Sequence, residues 1–206
     1  MRKGIVFVIS GPSGAGKGTV AKGIVDSIDN ISFSISATNR APRVGEVEGK
    51  SYYFVSNERF DEMIRNGEFL EYVDKYKNKY GTPKSSVFDL TDRGVDVILD
   101  VETIGASNIK KAMPDAVSIF ILPPSLSILK QRLINRGTES AELVEIRFSQ
   151  ACDEIGCAHE YDYIVVNDDK DKCLRAVASI IEAERQKGFR NEELPGLVLS
   201  GKTISD

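Results

Sequence analysis

Cysteine is scarce and unpaired in this chain of 206 residues: Cys152, Cys157 and Cys173 are odd in number and lack any C-x2-C spacing. A disulfide framework is not the organising device, and reduced thiols, buried or incidental, are expected. Histidine occurs once, at His159, and with Cys157 it offers two candidate metal ligands in a helix-like stretch, too few to argue for a site. No apolar run approaches the roughly 20 residues that span a bilayer. Met1-Arg2-Lys3 leads directly into a strand and not into a leader, so the cytoplasm is the expected compartment and no membrane is an expected partner. An excess of positive charge is missing too. With 27 Lys and Arg against 31 Asp and Glu, the net charge is −4, and nucleic acid is not the expected partner. Local clusters of Arg and Lys can still draw small anions. Internal repeats and low-complexity segments are absent. What remains is an ordinary globular composition, 41% hydrophobic and 28% charged, long enough for one well-buried core.

The most informative stretch lies near the start. Ile5-Val6-Phe7-Val8-Ile9 is an apolar, β-branched run of the kind buried on both faces of a sheet. It passes into Gly11-Pro12-Ser13-Gly14-Ala15-Gly16-Lys17-Gly18-Thr19 and then into a helix-like segment from Val20. Strand, glycine loop, lysine and helix form a phosphate cradle. Glycines let backbone N–H groups converge on an anion, the helix N-terminus adds its positive end, and Lys17 reaches the outer phosphates. The G-x4-G-K spacing is kept, but Gly18 stands where the pattern has Ser or Thr, and Thr19 follows. The G-x-G-x-x-G register of dinucleotide loops is absent. A lysine within the loop points to a triphosphate.

Beyond the first helix, residues 31–36 alternate as a second strand. A polar, turn-rich stretch over 37–50 leads to a strand at Tyr52-Tyr53-Phe54-Val55, and Asn57 is placed to cap a short helix carrying Phe60, Met63 and Ile64. Phe69-Leu70-Glu71-Tyr72-Val73 reads as a short strand that Glu71 ends, and Tyr80-Gly81-Thr82-Pro83 as a tight turn with two hydroxyls. Residues 34–83 thus form a strand-rich insertion. Around it, helices near 85–93, 103–112, 125–158 and 169–187 alternate with strands at 95–101, 116–122 and 163–167. The tail from Asn191 shows no usable period. Alternating strands and helices predict an α/β fold with a parallel sheet covered on both faces, its ligands at the carboxyl ends of the strands. Gly11 and Asp100 both fall at such ends, so a carboxylate is expected near the loop.

Other side chains admit two readings each. Arg40 and Arg43, three apart around Pro42, are either solvated surface arginines or a phosphate fork. Glu71 is either solvated or a site carboxylate. Arg132 and Arg136 share one helical face, with Arg147 further on; they either face solvent or neutralise a triphosphate.

With these motifs assembled, the chain from Gly4 to about Lys187 closely resembles the guanylate kinases. The resemblance rests on Gly-Pro-Ser-Gly-Ala-Gly-Lys, Ser36 to Arg43 followed by Gly45-Glu46 and Gly49-Lys50-x-Tyr52, and Glu71. It continues through Tyr80-Gly81-Thr82, Ile98-Leu99-Asp100, Arg136-Gly137-Thr138-Glu139 and Val166-Asn167-Asp168. It implies a three-layer P-loop kinase fold of one domain over 1–190. The core would comprise 1–33, 84–124 and 159–190, with a GMP-binding insertion over 34–83, a helical lid over 125–158 and a tail over 191–206. It implies transfer of the γ-phosphoryl group of ATP to GMP, with Mg2+. Gly11 to Thr19 would bind the ATP phosphates and Asn167 would lie near the ATP base. Arg40, Arg43, Tyr52 and Tyr80 would hold the GMP phosphate, and Ser36, Glu71, Thr82 and Asp100 would surround guanine. Lys17, Arg40, Arg132, Arg136 and Arg147 would act in transfer.

Three departures stand out. Gly18 leaves the metal ligand unassigned, Glu102-Thr103-Ile104-Gly105 replaces Asp-x-Gln-Gly, and Asn39 replaces a common threonine. Two other readings remain at this point: a kinase for AMP or another monophosphate, and a non-catalytic binding module of the same fold. Oligomeric state is left open.

Overall fold

A computed structural model describes residues 2–75, 77–135 and 141–203. Five parallel strands form the central sheet: β1 (Val6–Ser10), β2 (Ile31–Phe33), and three more whose place in the chain follows the insertion. The second sheet contains β3 (Ala37–Thr38), β4 (Tyr53–Phe54), β5 (Phe69–Lys75) and β6 (Asn78–Pro83). The central sheet is completed by β7 (Asp96–Asp100), β8 (Val117–Leu122) and β9 (Tyr163–Val166), in the order β2-β7-β1-β8-β9. The helices are α1 (Lys17–Ser27), α2 (Asn57–Arg65), α3 (Lys84–Thr91), α4 (Thr103–Ala112), α5 (Leu126–Asn135), α6 (Ala141–Gly156), α7 (Lys170–Arg185) and α8 (Glu193–Leu199).

Alternation along β1 sorts the layers. Ile5, Phe7 and Ile9 pack with Val20 and Ile24 of α1 and Val177 and Ile181 of α7. Val6 and Val8 face the other way, onto Val87 of α3 and Ala106 and Ile109 of α4. Both faces of the strand are therefore dry, as its unbroken apolar run requires. At the opposite end from the site, the fully buried Asp96 ties three segments together. It accepts from the Ile5 amide at 2.8 Å, from Arg2 at 2.9 Å and from Arg185 at 2.8 Å.

The insertion differs from its sequence reading in four places. The strand expected over 31–36 ends at Phe33; the Ser34 amide still reaches Ile98 O, and the chain then leaves to begin β3. The helix cap is Ser56, whose side chain accepts from the Arg59 amide, and Asn57 is the first helical residue. β5 continues to Lys75, so Glu71 lies inside the strand beside an irregularity in its pairing. Tyr80 to Pro83 is no turn. It belongs to β6, paired antiparallel to β3 on one side and β5 on the other, and Pro83 falls at its last position, where a missing N–H costs no ladder bond. The second sheet packs Ala37, Phe60, Met63 and Phe69 together, with the Phe60 and Phe69 rings stacked 4.6 Å apart. The tail has more order than its sequence suggests: α8 forms, with Pro195 in its first turn, where proline is tolerated.

Candidate active site

The glycine loop bridges the end of β1 and the start of α1. Gly11, Gly14 and Gly16 have φ of 141°, 88° and 94°, which side-chain-bearing residues rarely adopt. At Gly11 the neighbours also forbid a side chain, since a Cβ would stand 2.3 Å from Ile121 O. Helix α1 begins without a side-chain cap and without an acidic residue in its first turn, so its amides and positive end face an incoming anion. Lys17 Nζ folds back onto its own loop, donating to Gly11 O at 2.6 Å and Pro12 O at 3.2 Å. Those carbonyls hold the ammonium where phosphate oxygens can take over.

Asn167 and Arg132 brace the loop from outside. Buried at the end of β9, Asn167 donates through Nδ2 to Ala15 O at 2.7 Å. A Cβ on Gly16 would come within 2.5 Å of that nitrogen. Arg132 of α5 donates to Asn167 O at 3.0 Å. Arg136, expected to act with it, lies outside the described residues.

Across from the loop, a cleft of about 530 Å³ is lined by residues from both sheets. Ser36, Arg40, Arg43, Tyr52, Glu71, Tyr80, Asp100 and Arg147, all singled out in the sequence, meet there. Thr82 stands behind them, its Oγ1 donating to Glu71 Oε1 at 2.7 Å. Arg147 also lines a neighbouring cavity of about 470 Å³ that reaches Ser13 of the loop, and so stands between the two halves of the site.

Arg40 is not a solvated arginine. Its side chain is 9% exposed, and its guanidinium is gripped in bidentate fashion by Glu46, at 2.7 and 2.6 Å. It stacks 5.0 Å from the Tyr52 ring centroid. The ion pair raises its pKa further and pulls Glu46 down to about 2. Glu46 also accepts from the Arg43 amide at 2.8 Å, so one carboxylate fixes the backbone of one arginine and the side chain of the other. Arg40 Nε is buried with no hydrogen-bond partner among the described residues, a donor suited to an anion. Arg43 is exposed at the rim of the cleft.

Glu71 is buried at 8% exposure, which removes the solvated reading. Burial raises its pKa, opposed by hydrogen bonds from the Thr82 side chain and amide. Asp100 ends β7, one strand over from the loop. The protein around it raises its pKa, while the Lys17 charge lowers it. Both carboxylates therefore stand in surroundings that sharpen their response to a hydrogen-bond donor or a cation.

Sequence reasoning missed two contributors. Glu46 was legible only as part of a motif, since nothing in a polar loop announces a partner six residues back. Asn39, noted as a departure, accepts from the Lys79 amide at 2.6 Å and donates to Asn57, joining β3 to β6 and α2. Away from the site, burial pushes the Cys173 thiol up to about 11, and the His159 ring shares a hydrogen bond with the Gly156 carbonyl three residues back. Among the described residues, no group of three or more His, Cys, Asp or Glu side chains is placed to hold a metal ion, and no helix is long and apolar enough to cross a membrane.

Comparison with known proteins agrees with this geometry. The family model described as "Guanylate kinase" matches residues 3–184. The guanylate kinase of Clostridioides difficile (strain 630) is 46% identical over 94% of this chain and 95% of its own length. That of Clostridium tetani (strain Massachusetts / E88) is 49% identical over 90% of this chain and 88% of its own. The crystal structure of guanylate kinase from Anaplasma phagocytophilum superposes with a TM-score of 0.75 at 35% identity, covering 92% of this chain and 90% of that one. Neither an AMP kinase nor a non-catalytic module is favoured by these likenesses.

Proposed function

The chain belongs to the guanylate kinase family and transfers the γ-phosphoryl group of ATP to GMP, and from that premise we propose how its residues divide the work. The loop from Gly11 to Thr19 takes the ATP phosphates. Lys17 exchanges its bonds to Gly11 O and Pro12 O for phosphate oxygens, a swap that strands no buried charge. GMP enters the 530 Å³ cleft with its phosphate toward Arg40, Arg43, Tyr52 and Tyr80, and with guanine toward Ser36, Glu71, Thr82 and Asp100. The observation that carries this reading is the half-buried Arg40 with a buried Nε unpartnered among the described residues, held by Glu46 in a cleft that also holds Glu71 and Asp100. Anion at one end and hydrogen-bond donors at the other describe a guanosine monophosphate.

A phosphate oxygen of GMP then attacks the γ-phosphorus in line, the bond to the β-bridging oxygen breaks, and ADP leaves with that electron pair. The protein's part is position and charge neutralisation. Arg147, shared by both cavities, neutralises the group in flight, with Arg132 on the ATP side; Arg136, outside the described residues, is assigned to transfer from its sequence motif alone. Helices α5 and α6 act as a lid over the acceptor unit of residues 34–83, excluding water. Asn167 fixes the loop and lies at the edge of the ATP base.

Mg2+ fits the donor set at Asp100. The ion keeps most of its waters and takes one or two carboxylates alongside phosphate oxygens, so a cluster of side-chain ligands is not required. Gly18 offers no hydroxyl, and Thr19 lies about 100° further round the helix. Asp100, beside Lys17 and Gly18, would hold the ion directly or through its waters, with Glu102 nearby. Bound there with ATP, the ion would supply positive charge that offsets the negative charge of the phosphate oxygens during transfer. The reaction belongs in the cytoplasm, where ATP is made and where three reduced cysteines persist. A coupled spectrophotometric assay with GMP, AMP, UMP and CMP tests the substrate reading: GMP is expected to be phosphorylated at least a hundredfold more efficiently, and a preference for AMP would overturn it.

A further inference from the structure

We propose that Gly105, in the first turn of α4, is a positioning residue for base selection, kept free of a side chain so that the Glu71 carboxylate can occupy its working place. The inference rests on the reading of Glu71 as the guanine acceptor. A Cβ built on Gly105 would lie 3.1 Å from Glu71 Oε2 and 3.4 Å from both Glu71 Cδ and Val101 Cβ. Only the first contact is tighter than ordinary van der Waals packing.

The backbone gives no other reason for glycine. Gly105 is absent from the residues with positive φ, so its conformation is open to any L-residue. It sits within a helix, where glycine is the least favourable ordinary residue and alanine the most. Local propensity therefore argues for alanine, and the neighbour that argues against it is one carboxylate oxygen.

That oxygen cannot give way freely. Oε1 of the same carboxylate accepts from Thr82 Oγ1 at 2.7 Å, and Glu71 lies directly opposite Thr82 in the β5–β6 pairing. With one oxygen tied to Thr82, Oε2 is the acceptor left to meet the adjacent N1–H and N2–H2 donors of guanine. Displacing it by a few tenths of an ångström lengthens and misaligns those hydrogen bonds while the fold stays intact. Helix α4 and strand β5 pack closely, so the effect passes through a direct contact.

The test compares Gly105→Ala, Glu71→Gln and the double variant by steady-state kinetics with each substrate varied in turn, and by thermal unfolding. Gly105→Ala is expected to raise the KM for GMP about tenfold or more, the loss of one charge-assisted hydrogen bond. The KM for ATP should stay put and the Tm should hold or rise. On the Glu71→Gln background, Gly105→Ala should cost nothing further, because the oxygen it displaces has already been replaced. Normal GMP kinetics in Gly105→Ala beside impaired Glu71→Gln overturns the inference. So do additive losses, and so does a lowered Tm with ATP and GMP affected alike, the mark of a packing role. Normal GMP kinetics in Glu71→Gln overturns the reading of Glu71, and this inference with it.

Discussion

The Asp100 carboxylate lies against the first turn of α1, its Oδ2 3.3 Å from the point where a Cβ on Gly18 would stand. The residue that lacks a hydroxyl is thus the one that lets a carboxylate approach the loop. The protein packed around Asp100 raises its pKa although the residue is open to the cleft, and Lys17, next in the chain, lowers it. Phosphate loop and acceptor cleft share an electrostatic boundary at this point.

Removing the lysine charge should therefore be felt twice. Lys17→Met is expected to abolish measurable turnover while the circular dichroism spectrum stays unchanged. Its Asp100 carboxyl should also titrate at higher pH than in the parent protein, followed by carbon-13 NMR of the carboxyl group. The sign follows from the lost cation, which favoured the ionised form. An unmoved midpoint would separate Asp100 from the loop, and near-normal turnover would remove Lys17 from the chemistry.

Glu46 contacts no reacting atom in this reading, yet it holds Arg40 and the Arg43 amide together. Glu46→Gln keeps the size and loses the bidentate carboxylate. The KM for GMP is expected to rise about tenfold, with the KM for ATP unchanged, because the arginine pair loses its register and the loop does not. The Glu46 pKa of about 2 adds a control: this ion pair should persist throughout the range from pH 5 to 9, so the variant's defect should not change with pH there. A defect confined to one end of that range would point to another group.

Asp96 tests the scaffold and not the site. It sits at the opposite end of β7 from Asp100, buried, with two arginines and the Ile5 amide upon it. Asp96→Ala leaves those donors without their acceptor and is expected to cost about 3–5 kcal/mol in urea unfolding. The KM values of the folded fraction should be unaltered. A loss below about 1 kcal/mol would mean that water takes over the role.

How much of this was legible depended on how local the signal was. The phosphate loop announced itself, because its glycines and lysine are consecutive and their chemistry follows from backbone geometry alone. The central sheet was legible because β1, β7 and β8 carry unbroken apolar runs, over 6–9, 97–99 and 119–122. The second sheet was harder. β3 and β4 are two residues each, too short for any period, and Tyr80 to Pro83 carries glycine and proline, which locally favour a turn. Pairing on both sides outweighed that preference. Partners fixed only by tertiary contact, such as Glu46 on Arg40 and Gly105 on Glu71, left no mark that spacing could reveal.

The cost of reading guanine should itself be measurable at Glu71. Burial raises the folded-state pKa of this carboxyl above its unfolded value. Below the unfolded pKa the group is protonated in both states. Between the two values the folded protein holds the proton more tightly, so stability falls as pH rises through that window and stays reduced above it. Burial of this carboxyl therefore costs the free enzyme stability above its unfolded pKa, a cost that a base with two N–H donors can offset. Glu71→Gln removes the ionisation and keeps the volume, and its amide oxygen can still accept from Thr82 Oγ1. The variant is expected to be more stable than the parent at pH 7, a gain on the order of 1 kcal/mol appearing as roughly 2–4 °C in Tm for a chain of this size. The gap should close as pH falls below about 4, where the parent's Glu71 is also neutral. Over the same comparison kcat/KM for GMP should drop by about 10²-fold or more, because the charge-assisted pair is gone. Thermal unfolding of both proteins from about pH 3 to 8, beside kinetics at about pH 7.5, reads all three outcomes. A stability difference that does not vary with pH would mean that folding leaves the Glu71 pKa at its unfolded value, and that burial does not penalise its ionised form.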